Sequence, residues 1–390
     1  MNCTVSLPAF LSRFKCIGVE CEDPCCTGWN MQVDTLTRRR YEACGLMDSV
    51  TGEGEASVMK RDPKTGCCVK FEGGLCAIQR ELGEQFLGDA CYFYPRTTRS
   101  LGGALVMTAT LSCPEIARLA LFGENPFEEA RAQFDRLPEK IRDYLPSGLT
   151  SVQAAGIHSA FIGAALRADA APERNFMRIF AAAECLSQLD PAGWPSVVPS
   201  QLAQDKVLLP PPEPLPTDTV YLLQALCGLV AAAQCVHRPR LIHTIRDIER
   251  ALHSTIRWDT LAIASLPDSS HATQSLHARW KAEWQAGYAG LLKRYLAMQI
   301  SLAFFPFAGF GNTLTERAAI IGIRLATVRL ALMSLCQAEQ GTPPSDEAVR
   351  VVQSVSAFLD HLAEPDFSLK IYAETGWLKG TRLRGVLEDY

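Results

Sequence analysis

Residues 16–29 read CIGVECEDPCCTGW and open a cysteine-rich stretch that ends at Cys113. Ten of the fifteen cysteines of the chain lie in this quarter of its length. All seven histidines lie at or after His158, which excludes a local zinc finger of mixed Cys and His ligands. Any metal bound by this stretch is therefore held by thiolates alone, in a four-thiolate zinc site or an iron–sulfur cluster.

Disulfides and ordinary buried thiols are the alternative explanations of the cysteine-rich stretch. Disulfide frameworks are typical of short secreted chains, whereas residues 1–15 do not have the basic and apolar regions of a signal peptide. The eleven cysteines up to Cys113 are also odd in number. Metal binding is the preferred interpretation, because a metal stabilises thiolates whose unperturbed pKa is about 8.5.

The composition is that of an ordinary globular protein. The 390 residues are 48% hydrophobic and 21% charged, with a formal net charge of -4, so a surface that attracts nucleic acid is not expected. The most apolar run, 220–236, is interrupted by Gln224 and Gln234 and is shorter than the roughly 20 residues that cross a bilayer. We therefore expect a buried helix there, no membrane contact and a cytoplasmic location.

The hydrophobic periodicity predicts a mainly α fold in three parts. An N-terminal cysteine-rich metal module with a few short β-strands covers 1–122, a helical connecting region covers 123–209, and a C-terminal helical bundle covers 217–390. The proline-rich run 210–216 marks the last boundary. The predicted helices of the bundle lie at 218–237, 240–257, 275–303, 315–338 and 345–363, the fourth entered through the capping box Thr313 to Glu316.

Within the module, local patterns predict strands at 31–34 and 101–112 and three helices. One helix is capped by Asp34 or Thr35, one lies between Cys76 and Cys91, and one covers 114–122. The helix between the two cysteines would tie both of its ends to metal.

Motifs of common cofactor sites are missing from the sequence. No Gly-x-Gly-x-x-Gly follows a predicted strand and no phosphate-binding loop motif occurs, so Rossmann-type nucleotide binding is not expected. The spacing of Trp280, Trp284 and Tyr288 predicts a buried aromatic stripe rather than a substrate-binding one. Isolated side chains in the helical part are interpreted as ordinary polar or core positions: His237, His243, His253, Cys185, Cys227, Cys235 and Cys336.

Four phrases, in the same order along the chain, resemble the bacterial flagellin lysine-N-methylase family. The first three also resemble a wider zinc- or iron-chelating cysteine domain. They are FKCIGVECEDPCCTGW at 14–29, LCAIQRELG at 75–83, CYFYPR at 91–96 and LSCPEIARL at 111–119.

The resemblance implies transfer of methyl groups from S-adenosylmethionine to lysine side chains of flagellin, and a [4Fe–4S] cluster or, alternatively, zinc. The first-choice ligands are Cys21, Cys25, Cys76 and Cys91. Further positions that match family cysteines are Cys16, Cys26, Cys67 and Cys113. The residues after Cys67 depart from the family pattern, so Cys68 is an alternative to Cys67, which is preferred for its interval to Cys76.

The chemistry of methyl transfer requires a lysine that has lost its proton. At a pKa of about 10.4 this costs about 4 to 5 kcal/mol at pH 7, so Tyr94 or Asp34 is a candidate base. A radical route is disfavoured because the usual Cys-x-x-x-Cys-x-x-Cys motif would need cysteine where Gly28 stands. Two other functions stay open at this point: a metal-stabilised adaptor that binds a flagellar protein, and an iron–sulfur redox protein.

Overall fold

The computed structural model describes residues 3–204, 218–232, 238–265, 269–361 and 365–388. In these ranges the fold is mainly α, as predicted, with short strands that concentrate in the N-terminal third. The proline-rich run 210–216, Cys235 and His237 lie outside the described residues. The predicted three-part division of the chain stays a prediction.

The elements follow one another from a strand-containing N-terminal part to a helical remainder. The strands are β1 Cys3–Pro8, β2 Val50–Thr51, β3 Val58–Met59, β4 Phe71–Glu72, β5 Leu75–Cys76, β6 Arg96–Leu101, β7 Ala104–Ala109, β8 Glu129–Phe134, β9 Thr255–Arg257 and β10 Ala262–Ser265. The helices of the first half are α1 Ala9–Ser12, α2 Thr35–Ala43, α3 Ala77–Leu82, α4 Asp89–Phe93, α5 Pro114–Phe122, α6 Ser151–Leu166, α7 Pro172–Leu186 and α8 Trp194–Ala203. Those of the second half are α9 Asp218–Ala232, α10 Pro239–Ala251, α11 Ser269–Arg279, α12 Gln285–Ala303, α13 Leu314–Glu339, α14 Ser345–Leu359, α15 Pro365–Glu374 and α16 Gly380–Glu388.

A four-stranded sheet in the order β6-β7-β1-β8 attaches the N-terminus to the helical bundle. Strand β1 runs parallel to β7 and antiparallel to β8, and Val5 and Leu7 on its inner face are buried in the main core. Strand β8 comes from the region predicted to be helical. Its alternating pattern of half-buried and exposed residues fits a strand with one covered face.

The cysteine-rich segment surrounds a second, smaller core between α2, the two hairpins β2-β3 and β4-β5, α3 and α4. We call it the small core, and it consists of Met31, Val33, Tyr41, Val50, Met59, Ile78 and Leu87. Seven apolar side chains are few for a segment of this length, so its stability depends on something besides apolar burial.

Local structure in this segment differs from two of the predictions. The predicted helix between Cys76 and Cys91 is two short helices, α3 and α4, because Gly83 has φ of +91°, a conformation that ends a helix. Residues 31–34 make only an isolated bridge from Gln32 to Val58 rather than a strand. The helix capped by Asp34 is confirmed as α2, and the helix predicted at 114–122 is confirmed as α5.

Helix α13 is the centre of the bundle. It begins at the predicted capping box, with Thr313 accepting from the backbone of Glu316 and Glu316 accepting from that of Thr313. Every residue from Ala318 to Cys336 is buried. By length and composition this helix, rather than the run 220–236, is apolar enough to cross a membrane, but its apolar window is completely enclosed by the rest of the fold. It is therefore a core helix of the bundle.

The aromatic stripe lies in the core, as predicted. Trp280, Trp284 and Tyr288 are each less than 5% exposed, and Trp280 stacks on Tyr288 with ring centroids 5.7 Å apart. The predicted helix 275–303 is α11 and α12 joined through a π-helical turn at Trp280–Trp284. The predicted helix 240–257 ends at Ala251 and is followed by the hairpin β9-β10.

Two glycines in long helices test how tightly the bundle is packed. A Cβ atom at Gly322 of α13 would lie 2.4 Å from the ring of Phe176, whereas one at the exposed Gly290 of α12 would meet nothing within 4 Å. We expect Gly322→Ala to destabilise the fold by about 1 to 3 kcal/mol through overpacking. The control Gly290→Ala should be neutral or stabilise by up to about 1 kcal/mol. Urea unfolding followed by circular dichroism measures both, and equal effects would contradict the packing.

Candidate metal centre and the adjoining junction

Four cysteines from separate segments meet on one side of the small core. Cys25 lies in a loop, Cys68 follows a loop, Cys76 ends β5 and Cys91 lies in α4, and all four pack against the small core. We call them the cysteine quartet. Backbone hydrogen bonds hold the segments together: Cys68 donates to the carbonyl of Cys26 at 2.7 Å, and Gly28 donates to that of Gly66 at 3.3 Å.

The members of the quartet are close enough to affect one another's ionisation. Burial, followed by the neighbouring sulfurs of the other three, raises the pKa of Cys91. Burial raises the pKa of Cys68 too, and the sulfurs of Cys76 and Cys25 add to the increase. Because each thiolate opposes the formation of the next, the quartet cannot carry several negative charges unless a cation compensates them.

Cys26 lies beside the quartet and acts as a shared thiol donor. Its hydrogen bonds to Cys25 and Cys76 raise its own pKa, so it stays protonated. The same hydrogen bonds lower the pKa of Cys25 and bring that of Cys76 to about 6. Cys76 is therefore prepared to be a thiolate near neutral pH, and the pKa of Cys25 is shifted in the same direction.

The structure places the predicted ligands in three groups. Of the first choice, Cys25, Cys76 and Cys91 belong to the quartet. Cys21 and Cys113 lie close to Cys25, and burial raises their pKa values to about 11 and about 12. Cys16 is exposed.

Cys67 and Cys68 have different surroundings. The sulfur of Cys67 lies 3.6 Å from the hydroxyl of Thr27 and takes no part in the quartet, whereas Cys68 packs on the small core with the other three. The geometry thus favours Cys68, the alternative position, over Cys67. Which cysteines ligate a metal stays a prediction.

The described side chains do not form a site for a single metal ion. Among the described residues, no three His, Cys, Asp or Glu side chains are arranged to hold one ion. The donor type is all thiolate, which suits a polynuclear iron–sulfur centre whose ligands lie further apart.

A junction between the cysteine-rich segment and the bundle adjoins the quartet. The indole of Trp29 lies 4.4 Å from the imidazole of His361 and 5.4 Å from the ring of Tyr94, as ring centroids, and the guanidinium of Arg238 lies 4.5 Å from it. Trp29 follows Cys26 by three residues and Tyr94 follows Cys91 by three residues. The position of this aromatic group is therefore fixed from both sides by the loops that carry the quartet.

A chain of hydroxyl groups runs through the junction. Nε2 of His361 lies 2.9 Å from Oγ of Ser112, and the hydroxyl of Tyr94 lies 3.1 Å from the same Oγ. Thr110 Oγ1 lies 3.0 Å from Ser112 Oγ and donates to Asp360 at 2.6 Å. Ser112 and Thr110 are almost fully buried, whereas His361 is exposed. The chain thus connects a buried region next to the cysteines with solvent.

Buried ionic contacts fix the far side of this chain. Arg324 pairs with Asp360 at 3.2 Å and donates to Gln299 at 2.9 Å and to the carbonyl of Leu359 at 2.7 Å. Gln353 donates to Asp23 at 2.6 Å and to the carbonyl of Ser112 at 2.8 Å.

Tyr94 and Asp34, the two candidate bases, have different environments. Burial, and next the sulfur of Cys113, raises the pKa of Tyr94 well above its usual value. The phenol is therefore protonated near neutral pH. Tyr94 is half-buried and belongs to the junction.

Asp34 is occupied by structural hydrogen bonds. Its carboxylate accepts from the backbone and hydroxyl of Thr37, which caps α2, and from the backbone of Asp89. Burial opposes its ionisation, but these donors outweigh burial and lower the pKa. Asp34 lines an open pocket of about 530 Å³ with Arg40 and Arg136. Helix capping is the role that its contacts explain.

Several residues of the junction had no signal in the sequence. His361, Asp360 and Arg324 come from the C-terminal third, and Ser112 to His361 spans 249 positions. Trp29, Tyr94 and Ser112 stand inside the cysteine-containing phrases.

Comparison with known proteins finds distant relatives. A lysine-N-methylase of Salmonella typhimurium is 29% identical over 125 residues, which cover 29% of this chain and 31% of that protein. The flagellar biosynthetic protein FliU of Salmonella muenchen is 28% identical over 125 residues, covering 29% of this chain and 74% of that protein. A lysine-N-methylase of Salmonella choleraesuis is 28% identical over the same length and covers 31% of that protein. The match thus spans about a third of the length of the two lysine-N-methylases.

No family model and no solved structure matches the chain. These relatives are named as a methylase and as a flagellar biosynthetic protein, and their matches cover 29% of this chain.

The adjacent Cys67 and Cys68 provide a matched pair of variants. If the quartet holds the metal, Cys68→Ser should lose most of the bound metal, because one of four thiolate ligands is missing, and Cys67→Ser should retain it. Iron, zinc and acid-labile sulfide are measured after anaerobic purification of each variant. Loss of metal from Cys67→Ser alone would contradict the geometric assignment.

Proposed function

We propose that this protein transfers methyl groups from S-adenosylmethionine to lysine side chains of flagellin in the cytoplasm, and that a [4Fe–4S] cluster bound by the cysteine quartet is required. The observation that carries the proposal is the position of the quartet directly beside the Tyr94 and His361 junction. The distant relation to proteins named lysine-N-methylase and to a flagellar biosynthetic protein supports the reaction and the substrate.

The donor set supports a cluster over zinc. The ligands proposed for it are Cys25, Cys68, Cys76 and Cys91, each from a different segment. All are thiols, the ligand type of iron–sulfur clusters, and among the described residues no three possible ligands are arranged to hold a single ion. Bound there, such a cluster would supply both a crosslink among four segments and a one-electron redox group.

The crosslink gives the junction its geometry. Trp29 lies four residues beyond Cys25 and Tyr94 lies three residues beyond Cys91, and the small core beneath has seven buried apolar side chains. Because so small a core stabilises little by itself, the loops that position these two rings depend on the metal for their order. Loss of the metal should therefore abolish activity even if the metal takes no part in the chemistry.

Methyl transfer by direct displacement requires little from the protein beyond positioning and removal of a proton. The lysine nitrogen must be neutral and in line with the methyl group and the sulfur of the donor, which is a substrate of the reaction. The Trp29 ring already contacts one cation, the guanidinium of Arg238, so the junction has the aromatic character that also attracts a cationic group such as an ammonium or a sulfonium.

Labelled S-adenosylmethionine, flagellin and the anaerobically purified protein test the proposal. We expect transfer of label to flagellin lysines, with about four iron and four sulfide per chain in the active preparation. Flagellin whose lysines have been fully dimethylated by reductive methylation is the matched control, and it should take up no further label at those side chains.

Two other outcomes would contradict the proposed reaction. A stable complex with flagellin but no label on lysine would indicate the adaptor. Reversible bleaching of the cluster by dithionite, together with indifference to flagellin, would indicate a redox protein. Stoichiometric zinc without sulfide in an active preparation would contradict the proposed iron–sulfur cluster but not the proposed reaction.

A further inference from the structure

We propose that His361 is the terminal proton acceptor of the methyl transfer, and that it receives the proton of the lysine ammonium through Tyr94 and Ser112. This inference rests on the proposed function and deepens it by assigning the base. The path consists of two hydrogen bonds, 3.1 Å from Tyr94 to Ser112 and 2.9 Å from Ser112 to Nε2 of His361.

The geometry favours a relay over a single base. Tyr94 lies at the quartet end of the path, and His361 lies at the solvent end. Ser112, 1% exposed, lies between them with its hydroxyl in contact with both. Asp360 and Arg324 hold Thr110, and through it the Ser112 hydroxyl, from the other side.

A relay also removes the difficulty that Tyr94 presents as a base. Its phenol is protonated near neutral pH, and an isolated phenolate would be costly there because burial and the sulfur of Cys113 raise its pKa. In a relay the phenol gains one proton as it gives up another, so no phenolate accumulates. The imidazole becomes the charged group, and its exposed edge returns the proton to water.

Every proton and electron pair of the methyl transfer has a defined destination. The lysine N–H bond breaks, its electron pair stays on nitrogen, and the proton passes to the oxygen of Tyr94. The phenolic proton moves to Ser112 Oγ, and the serine hydroxyl proton moves to Nε2 of His361, which becomes imidazolium. The nitrogen pair then forms the bond to the methyl carbon, and the carbon–sulfur bond breaks with its pair left on sulfur. The products are methyllysine, as an ammonium, and neutral S-adenosylhomocysteine.

The charged and titratable groups around the imidazole determine when it can accept a proton. They are Asp360, Arg238, Arg324 and Tyr94. Although His361 keeps contact with solvent, the side chains packed around its imidazole displace much of the surrounding water. This desolvation is the largest effect and lowers the pKa of His361 below its usual 6.5, Asp360 opposes the decrease, and the two arginines add to it. The imidazole is therefore neutral and able to accept a proton at pH 7, and it loses this ability as the pH falls through its lowered pKa.

The test compares His361→Gln with the unaltered full-length protein in single-turnover methylation of flagellin between pH 5.5 and 9.5. At pH 7 we expect the variant to be at least about 100-fold slower, the usual loss when a general base is removed. Its rate should rise about tenfold per pH unit up to pH 9.5, because lysine with a pKa of about 10.4 then supplies its own free amine. The methylation rate of the unaltered protein should be constant from pH 7 to pH 9.5 and decrease only at acidic pH.

Two further variants separate the relay from a structural role. Ser112→Ala interrupts the path without removing the stacking of His361 on Trp29, and it should reproduce the slow, pH-dependent rate. His271→Gln, at an exposed position of α11, is the matched control and should behave as the unaltered protein does. Iron content is measured for each, so that loss of the metal centre is recognised.

The outcomes are distinguishable. An unaltered rate in His361→Gln, or a loss that is equal at pH 7 and pH 9.5 with full iron content, would overturn the relay and leave the proposed reaction intact. Failure of the unaltered protein to methylate flagellin at any pH would overturn the proposed function, and the relay with it.

Discussion

Electrostatic repulsion among buried sulfurs is the constraint on which the cysteine-rich segment depends. Cys25, Cys68, Cys76 and Cys91 lie together against a small core, and each raises the cost of ionising the others. Protonated thiols could occupy this place as small apolar side chains, but Cys26 shifts its neighbours in the opposite direction by donating to two of them. A site that both favours two thiolates and penalises four is well suited to a multiply charged inorganic centre.

The parts of the site that could be predicted from the sequence are those that local residue patterns determine. The positions of the cysteines identified the cysteine-rich stretch, and the positions of the histidines predicted that none lies within it. Local rules correctly predicted the cap of α2 and the capping box of α13. Spacing could not decide between Cys67 and Cys68. In extended chain, adjacent side chains point to opposite sides, so the bridges from Cys67 to Thr27 and from Cys68 to Arg61 determine which sulfur faces the core.

Long-range contacts account for the remaining differences. Strand β8 pairs with β1 across more than 120 residues, and no local pattern reveals a partner that distant. His361 is placed in the junction by its contacts with Ser112 and Trp29, whereas the sequence around it resembles the end of any amphipathic helix. The break at Gly83 was visible in principle, since a glycine with positive φ commonly ends a helix, but hydrophobic periodicity continued through it.

The junction makes the bundle more than a support for the metal module. A buried ion pair such as Arg324 with Asp360 adds little net stability, because desolvation of both groups offsets their attraction. Its effect here is to fix positions: Asp360 accepts a hydrogen bond from the hydroxyl of Thr110, and Thr110 in turn contacts the Ser112 hydroxyl. Ser112 precedes Cys113 and α5, and His361 lies two residues after the end of α14, so any shift of the cysteine-rich segment relative to the bundle would separate the two. The cysteine-rich segment, the aromatic group and the last helices are thus coupled through one buried serine, and the geometry of the junction requires all three to be in place.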